Sequence, residues 1–406
     1  MKLSTSASFR AVSKSSHIIQ TYHTASFQTA APSTILWWVR KIGYYALTRP
    51  HPRADDWVIL LDHTVKIGSK KLFVILGIRE RNIDFTRPLR YEDLEPLWMS
   101  TSAHWNGPFV RDILVRLQHR IGRIKYAVGD YGSDIKKGLR LAGIAHVHDL
   151  THRIALTLKT LYADDPAYQT VTQRLARIRQ RFWLAVAGHL VPPAQRTKSR
   201  YHNLRPLAEY GQQMLAYLDR SDNTVSGEED AFRDEMAWLR EYRAFFREID
   251  EVTNAVTVVE RLVKRRGLST EVIEACGHQL ATVSTEKGYH FKFDILVYFH
   301  MMLALPRMRD TILCTSDILE SAFGKYKNYV SCNPMAGITD LALCIAAFTC
   351  PLTPEEITVA LESVREEAVR QWARVFLGTP LLRKRRQAFS GNQSVPNNQG
   401  DTHNPL

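Results

Sequence analysis

Three carboxylates in three different local settings carry the chemistry that this chain suggests. Asp62 ends the apolar run at residues 57–61, and Asp130 follows a second apolar run at 124–129 and opens the stretch DYGSDIKKG. Glu320 lies in CTSDILESAFGKYKN, whose pattern predicts a helix. Two acids at strand ends and a third on a distant helix can converge and hold a pair of divalent cations. Such a pair activates an oxygen nucleophile against a phosphodiester.

Each acid also has an ordinary reading. An isolated Asp at the end of a strand can simply turn the chain out of the sheet. Burying it without a partner or a cation costs several kcal/mol. Asp130 would sit at the C-terminal edge of a sheet, where functional groups collect in open α/β folds. Gly132 permits close backbone approach there, and Asp134 competes for the ligand role, although an acid at a helix start is favourable without metal. Asp317 and Glu320, three apart, share a helix face and suit ordinary capping. In His148-Asp149-Leu150-Thr151-His152 the two histidines have zinc-ligand spacing, but the Glu of an HExxH site is absent, so a structural or positioning histidine is the preferred reading.

The elements that position these acids follow from the pattern of the chain. Two β-rich runs, 57–62 and 72–78, flank a turn at Gly68-Ser69 and predict a hairpin. A polar segment containing Pro88 and Pro96 follows it. Pro108 opens a helix that Gly122 closes. A strand at 124–129, a helix from Ser133 and a strand at 144–147 complete an α/β order around one mixed central sheet with flanking helices. After Thr151 roughly 150 residues carry helical periodicity, and 354–376 reads as a last amphipathic helix, while Gly324 is a candidate break in the Glu320 helix. Five units result: a basic region at 1–50, the first part of an α/β core at 51–150, a helical insertion at 151–310, the rest of the core at 311–390, and a disordered tail at 391–406. Within 1–50, a patch at 8–14 and a helix from Pro32 to a stop at Gly43 fit a partial helix-turn-helix. A core-packed helix with two tryptophans is the alternative.

The chain has 406 residues, with 45% hydrophobic and 23% charged positions, enough for a substantial core. Its 54 Lys plus Arg against 41 Asp plus Glu leave a net charge of +13. That surplus favours a polyanionic partner, nucleic acid first. Basic side chains expected along a phosphate track include Arg40, Lys41, Arg196, Lys198, Arg200, Lys325 and Lys327, with further runs at 174–181, 264–266 and 383–386. Five cysteines without a CxxC pair argue against a zinc ribbon or a disulfide framework. The richest apolar stretch, 293–306, is too short to span a membrane, and no signal-peptide segment is evident. A soluble, intracellular protein is expected.

The segments VILLDHTVKIGSKKLFVILGI, KYAVGDYGSDIKKGLRLAGIAHVHDLTHRIA, PPAQRTKSRYHNL and TSDILESAFGKYKN together resemble the DDE-type transposases of bacterial insertion sequences, over roughly residues 30–390. The resemblance implies a ribonuclease-H-like α/β core with a mainly α-helical insertion between the second and third acids. It implies a catalytic triad of Asp62, Asp130 and Glu320 binding two Mg2+ (or Mn2+) ions, and DNA cleavage followed by strand transfer. A homo-oligomer on DNA, no membrane association, and a cytoplasmic, nucleoid-associated location in a bacterium are expected with it. Two further readings stand beside this one: a ribonuclease-H-like nuclease without strand transfer, and a transposase-derived DNA-binding protein without catalysis.

Overall fold

The structure, a computed structural model, describes residues 7–22, 28–67, 70–194, 204–220, 227–305, 310–330 and 337–390. Two compact units divide the chain. One comprises Met1–Asp84, Pro88–Val147 and Thr315–Leu406, and the other Phe85–Arg87 and His148–Cys314. The turn at Gly68-Ser69, Arg196, Lys198, Arg200 and the tail from Gly391 lie outside the described residues.

The first unit opens with helices α1 (Phe9–Tyr22) and α2 (Pro32–Thr48). Strands β1 (Ala54–Ile67) and β2 (Lys70–Arg79) pair antiparallel, and β3 (Glu95–Ser102) pairs antiparallel with β2. Then come α3 (Gly107–Ile121), β4 (Gly122–Gly129), α4 (Ser133–Leu141) and β5 (Ala145–His148). Asn106 caps α3, and Gly122, at φ 95°, turns the chain directly into β4, a conformation that favours glycine. The result is a five-stranded mixed sheet in the order β3-β2-β1-β4-β5, with β1 parallel to β4.

Both faces of this sheet are covered. Trp57, Ile59 and Leu61 of β1 join Val110, Leu114, Leu117, Ile135 and Leu139 of α3 and α4 in one core cluster. The alternate residues Val58 and Leu60 are equally buried, as period-two alternation in a two-sided core requires.

The second unit is mainly helical: α5 (Leu150–Tyr162), α6 (Pro166–Phe182), α7 (Leu204–Asp219), α8 (Gly227–Met236), α9 (Arg243–Arg266), α10 (Thr270–Gln279) and α11 (Glu286–Leu303). A short ribbon, β6 (Leu268–Ser269) with β7 (Thr311–Ile312), closes it. Lys287 of α11 bonds Asp165 at 2.8 Å and Glu248 at 2.6 Å, an internal ion-pair knot joining α11 to α9 and the start of α6. None of the described helices is long and apolar enough to cross a membrane.

The first unit resumes with α12 (Asp317–Val330), α13 (Leu343–Phe348), α14 (Pro354–Ser363), α15 (Glu366–Trp372), a π-helical turn at Ala373–Leu377 and α16 (Leu381–Phe389). Helix α12 packs on β1, and none of its buried residues belongs to the α3–α4 cluster, so it covers the opposite face.

Several sequence expectations change here. Helix α2 runs through Gly43 to Thr48, because Gly43 faces α13 so closely that a Cβ would stand 2.0 Å from the Leu343 carbonyl oxygen. The glycine is a helix crossing rather than a stop, and α2 buries Ile35, Val39, Ile42, Ala46 and Leu47 in the core. The polar segment around Pro96 contains β3, whose edge position tolerates a proline. Gly324 leaves α12 unbroken. The helix expected over 354–376 is three pieces, interrupted where Val364 turns to an extended conformation at ψ 118° and again at the π-helical turn.

Candidate functional site

The parallel pairing of β1 with β4 ends at Leu61 opposite Gly129, so Asp62 and Asp130 are the next residues beyond that pairing. Asp130 follows the end of β4, whereas Asp62 is not the strand end expected from its apolar run: β1 continues to Ile67, and Asp62 stands opposite Val74 of β2. Asp62 follows the alternation of Val58 and Leu60, which directs it to the face covered by α12. It is half-buried, and its Oδ1 accepts a hydrogen bond from the His63 backbone N–H at 2.6 Å. Asp130 Oδ1 accepts from the Gly132 N–H at 2.9 Å.

The loop after Asp130 is tightly built. A Cβ on Gly132 would lie 2.8 Å from Asp130 Oδ1 and 2.9 Å from Asp134 Oδ1, so the two carboxylates close around a position with no room for a side chain. Asp134 Oδ2 lies 2.8 Å from His63 Nε2, and the imidazole packs tilted against Phe73 and Trp105, each 4.8 Å away between ring centroids, the three rings touching one another. That hydrogen bond holds the Asp134 carboxyl below its ordinary value. From sequence alone Asp134 reads as a helix-start acid, with no link to His63. The available signal was the histidine directly after Asp62.

Glu320 stands in the first turn of α12 and is exposed, while Leu319, Ala322, Phe323 and Tyr326 form the buried face of that helix. The residue beside it, Ser321, places its Oγ 2.6 Å from the Tyr91 hydroxyl. One turn on, the Lys325 ammonium rests 4.0 Å from the Tyr91 ring centroid and 5.3 Å from that of Phe348, and burial pulls it below its ordinary value. The 3-10 turn Tyr91–Asp93 thus anchors the helix that bears Glu320.

Asp62 and Asp130 therefore both lie just beyond the last residues paired between β1 and β4, and Glu320 sits on a helix packed over β1. Among the described residues, no three His, Cys, Asp or Glu side chains are grouped as a metal site. Carboxylate oxygens are hard donors, and magnesium is held through one or two carboxylates with water and phosphate completing its shell. Asp62 and Asp130 fit that donor class. The histidine cluster has a different role: Asp149 caps α5, accepting from the His152 N–H at 2.8 Å with the His152 ring Nδ1 at 3.0 Å, while His148 belongs to β5. The two histidines do not share a helix face.

The basic residues divide by environment. Arg40 pairs with Asp340 at 2.7 Å and lies 4.8 Å from the Trp37 ring centroid, and Lys41 Nζ donates to the Leu361 carbonyl at 2.9 Å. Both tie α2 to its neighbours. Lys327 is exposed on α12. Arg181 pairs with Glu235 and Lys264 with Glu260, whereas α16, carrying Arg383, Lys384, Arg385 and Arg386, buries none of its residues.

No family model and no curated protein matches the chain, so neither ties it to the transposases of bacterial insertion sequences. Among solved structures, the Drosophila P element transposase strand transfer complex is similar at 10% sequence identity and a TM-score of 0.41, covering 86% of this chain and 93% of that one. At that score the two backbones agree only in part.

Proposed function

We propose that the chain is a metal-dependent polynucleotidyl transferase of the transposase type, with a ribonuclease-H-like core and Asp62, Asp130 and Glu320 as its catalytic acids. The reading rests on the β1–β4 register, in which two acids directly follow the last paired residues of neighbouring strands in a mixed sheet with flanking helices. The packing of α12 on β1 supports Glu320 as the third. Asp62 and Asp130, with Glu320 from α12, would hold Mg2+ or Mn2+, which when bound polarises phosphoryl oxygens and lowers the pKa of water. The chain's own groups set the stage for that chemistry. The Gly132 N–H orients Asp130, the His63–Asp134 bond fixes the loop, and Tyr91 with Lys325 holds α12. Exposed cations such as Lys327 and those of α16 would attract the DNA backbone.

A second reading is favoured by one observation: the three acids do not form a ready metal group among the described residues. On that reading the chain binds DNA without cutting it.

Nicking of supercoiled plasmid in Mg2+ or Mn2+, with joining of a labelled duplex oligonucleotide measured alongside, separates the two. Wild-type cleavage lost in Asp62→Asn, Asp130→Asn and Glu320→Gln, with duplex binding retained, supports the transferase. Duplex binding with no cleavage by the wild type supports the second reading. Cleavage that survives all three substitutions removes the triad.

A further inference from the structure

A cavity of about 490 Å³ opens on the β3 edge of the first unit, and none of its lining residues is one of the three acids. Its walls come from the ends of α2 and α3, from β3, and from the π-helical turn with the residue before it. The aromatic lining is Tyr44, Trp98, Trp372 and Phe376, and Arg116, His119 and Arg120 supply a basic side.

The rings already order one another. Trp98 and Phe376 meet edge to face at 5.6 Å, and Trp372 and Phe376 stack at 5.8 Å. Trp98 donates its indole N–H to Ser100 Oγ at 2.9 Å, which fixes its plane. Three of the aromatic walls are therefore held in place, and Leu47, Leu97, Met99 and Leu117 complete the apolar lining of the cavity. Its volume falls within the range of small-molecule sites, roughly 300–1,000 Å³.

The basic side has an ordinary cause in part, since His119 and Arg120 end α3, where the helix dipole favours positive charge. Arg120 goes further. Its guanidinium donates to the Leu97 carbonyl of β3, and partial desolvation lowers it from its ordinary value although the residue keeps an exposed face. Arg116, one turn earlier, adds a second guanidinium to the same wall. Flat aromatic walls beside two guanidinium groups match a planar ring that carries an anionic group.

We infer that this cavity receives one unpaired nucleobase of bound DNA, its ring among Tyr44, Trp98 and Phe376 and its phosphate toward Arg116 and Arg120. The inference rests on the DNA-binding part of the proposed function. Base–aromatic stacking accepts any base, so the site selects an unstacked nucleotide rather than a sequence. A free nucleotide has the same chemistry, and the test separates the two sources.

The full chain is titrated with a labelled 20-base-pair duplex, with the same duplex carrying one bulged nucleotide, and with free dAMP as competitor. Wild-type protein is expected to bind the bulged duplex about tenfold more tightly than the paired one, the worth of one stacked base. Trp98→Ala and, separately, Arg120→Gln are expected to remove most of that preference, with folding checked by circular dichroism. Equal wild-type affinity for the two duplexes overturns the inference and leaves DNA binding standing. Binding to neither duplex overturns both this inference and the DNA-binding reading. Equal duplex affinities together with saturable dAMP binding that Trp98→Ala abolishes assign the cavity to a free nucleotide and overturn the claim for DNA.

Discussion

The His63 Nε2 atom lies 2.8 Å from Asp134 Oδ2, and this contact ties together the two segments that bear Asp62 and Asp130. His63 directly follows Asp62, and Asp134 closes the loop that Asp130 opens. Their side chains are only 9% and 15% exposed, so the bond forms largely out of water. Replacing His63 with Ala should cost about 1–3 kcal/mol in urea unfolding, because the Asp134 carboxylate loses its partner. In the same variant the Asp134 carboxyl, followed by NMR, should titrate at a higher pH than in the wild type. An unmoved titration would mean that His63 is not what holds it down.

Gly132→Ala tests the geometry of the acid loop directly. The new methyl would collide with the carboxylates of Asp130 and Asp134, so at least one must move. Plasmid nicking should fall at least tenfold. The unfolding free energy should change by only about 1 kcal/mol, a typical value for a single substitution. Full activity in this variant would show that Asp130 need not be held where it is.

Arg49 sits between Glu356, at 2.5 Å, and Glu95, at 2.7 Å, and so joins the residue after α2 to β3 and α14. Its side chain is 14% exposed. Arg49→Met should destabilise the protein by about 3 kcal/mol, because two carboxylates remain without their cation. A loss below about 1 kcal/mol, the scale of an exposed pair, would place this network in water.

The buried His51 gives stability a pH dependence. Burial, and then the charges of Arg120 and Arg49, lower it from 6.5 to about 4. Glu95, 3.6 Å away, is already paired with Arg49, so the imidazole stays neutral in the fold. The unfolded chain binds this proton at higher pH than the folded chain does. Stability should therefore be complete above about pH 6.5 and should fall as pH drops toward 4. The share from His51 is on the order of 3 kcal/mol, at 1.36 kcal/mol per unit. His146, also lowered to about 4 by burial, acts in the same direction. Urea unfolding of His51→Gln at pH 7 and pH 4.5 should show a smaller difference than the wild type, and an equal difference would exclude His51 as the cause.

Duplex affinity should fall steeply with salt if the +13 surplus meets phosphate. Removing the cations of α16 through Arg383→Gln, Lys384→Gln and Arg385→Gln together should reduce the slope of log affinity against log salt by about 2–3, since each lost phosphate contact lowers it by roughly 0.9. An unchanged slope would assign the helix another role.

Local sequence determined much of the acid-bearing half. The alternation in β1 and β2, the apolar run of β4, and the Pro108 and Gly122 signals of α3 are short-range features, so they can be read without knowing the neighbours. Charge and the identity of the acids are legible in the same way. The tertiary structure decided what local signals cannot carry. Strand β3 is visible only as the edge partner of β2, because its Pro96 speaks against a strand until an edge supplies the place for it. Gly43 reads as a helix stop until Leu343 is packed against it. Arg40 reads as a phosphate contact until Asp340, 300 residues away in sequence, takes it. Asp62 and Asp130 stand out in the sequence, but only the pairing of Leu61 with Gly129 brings their positions together. That proximity comes from strand register and helix packing, which are properties of residues distant along the chain.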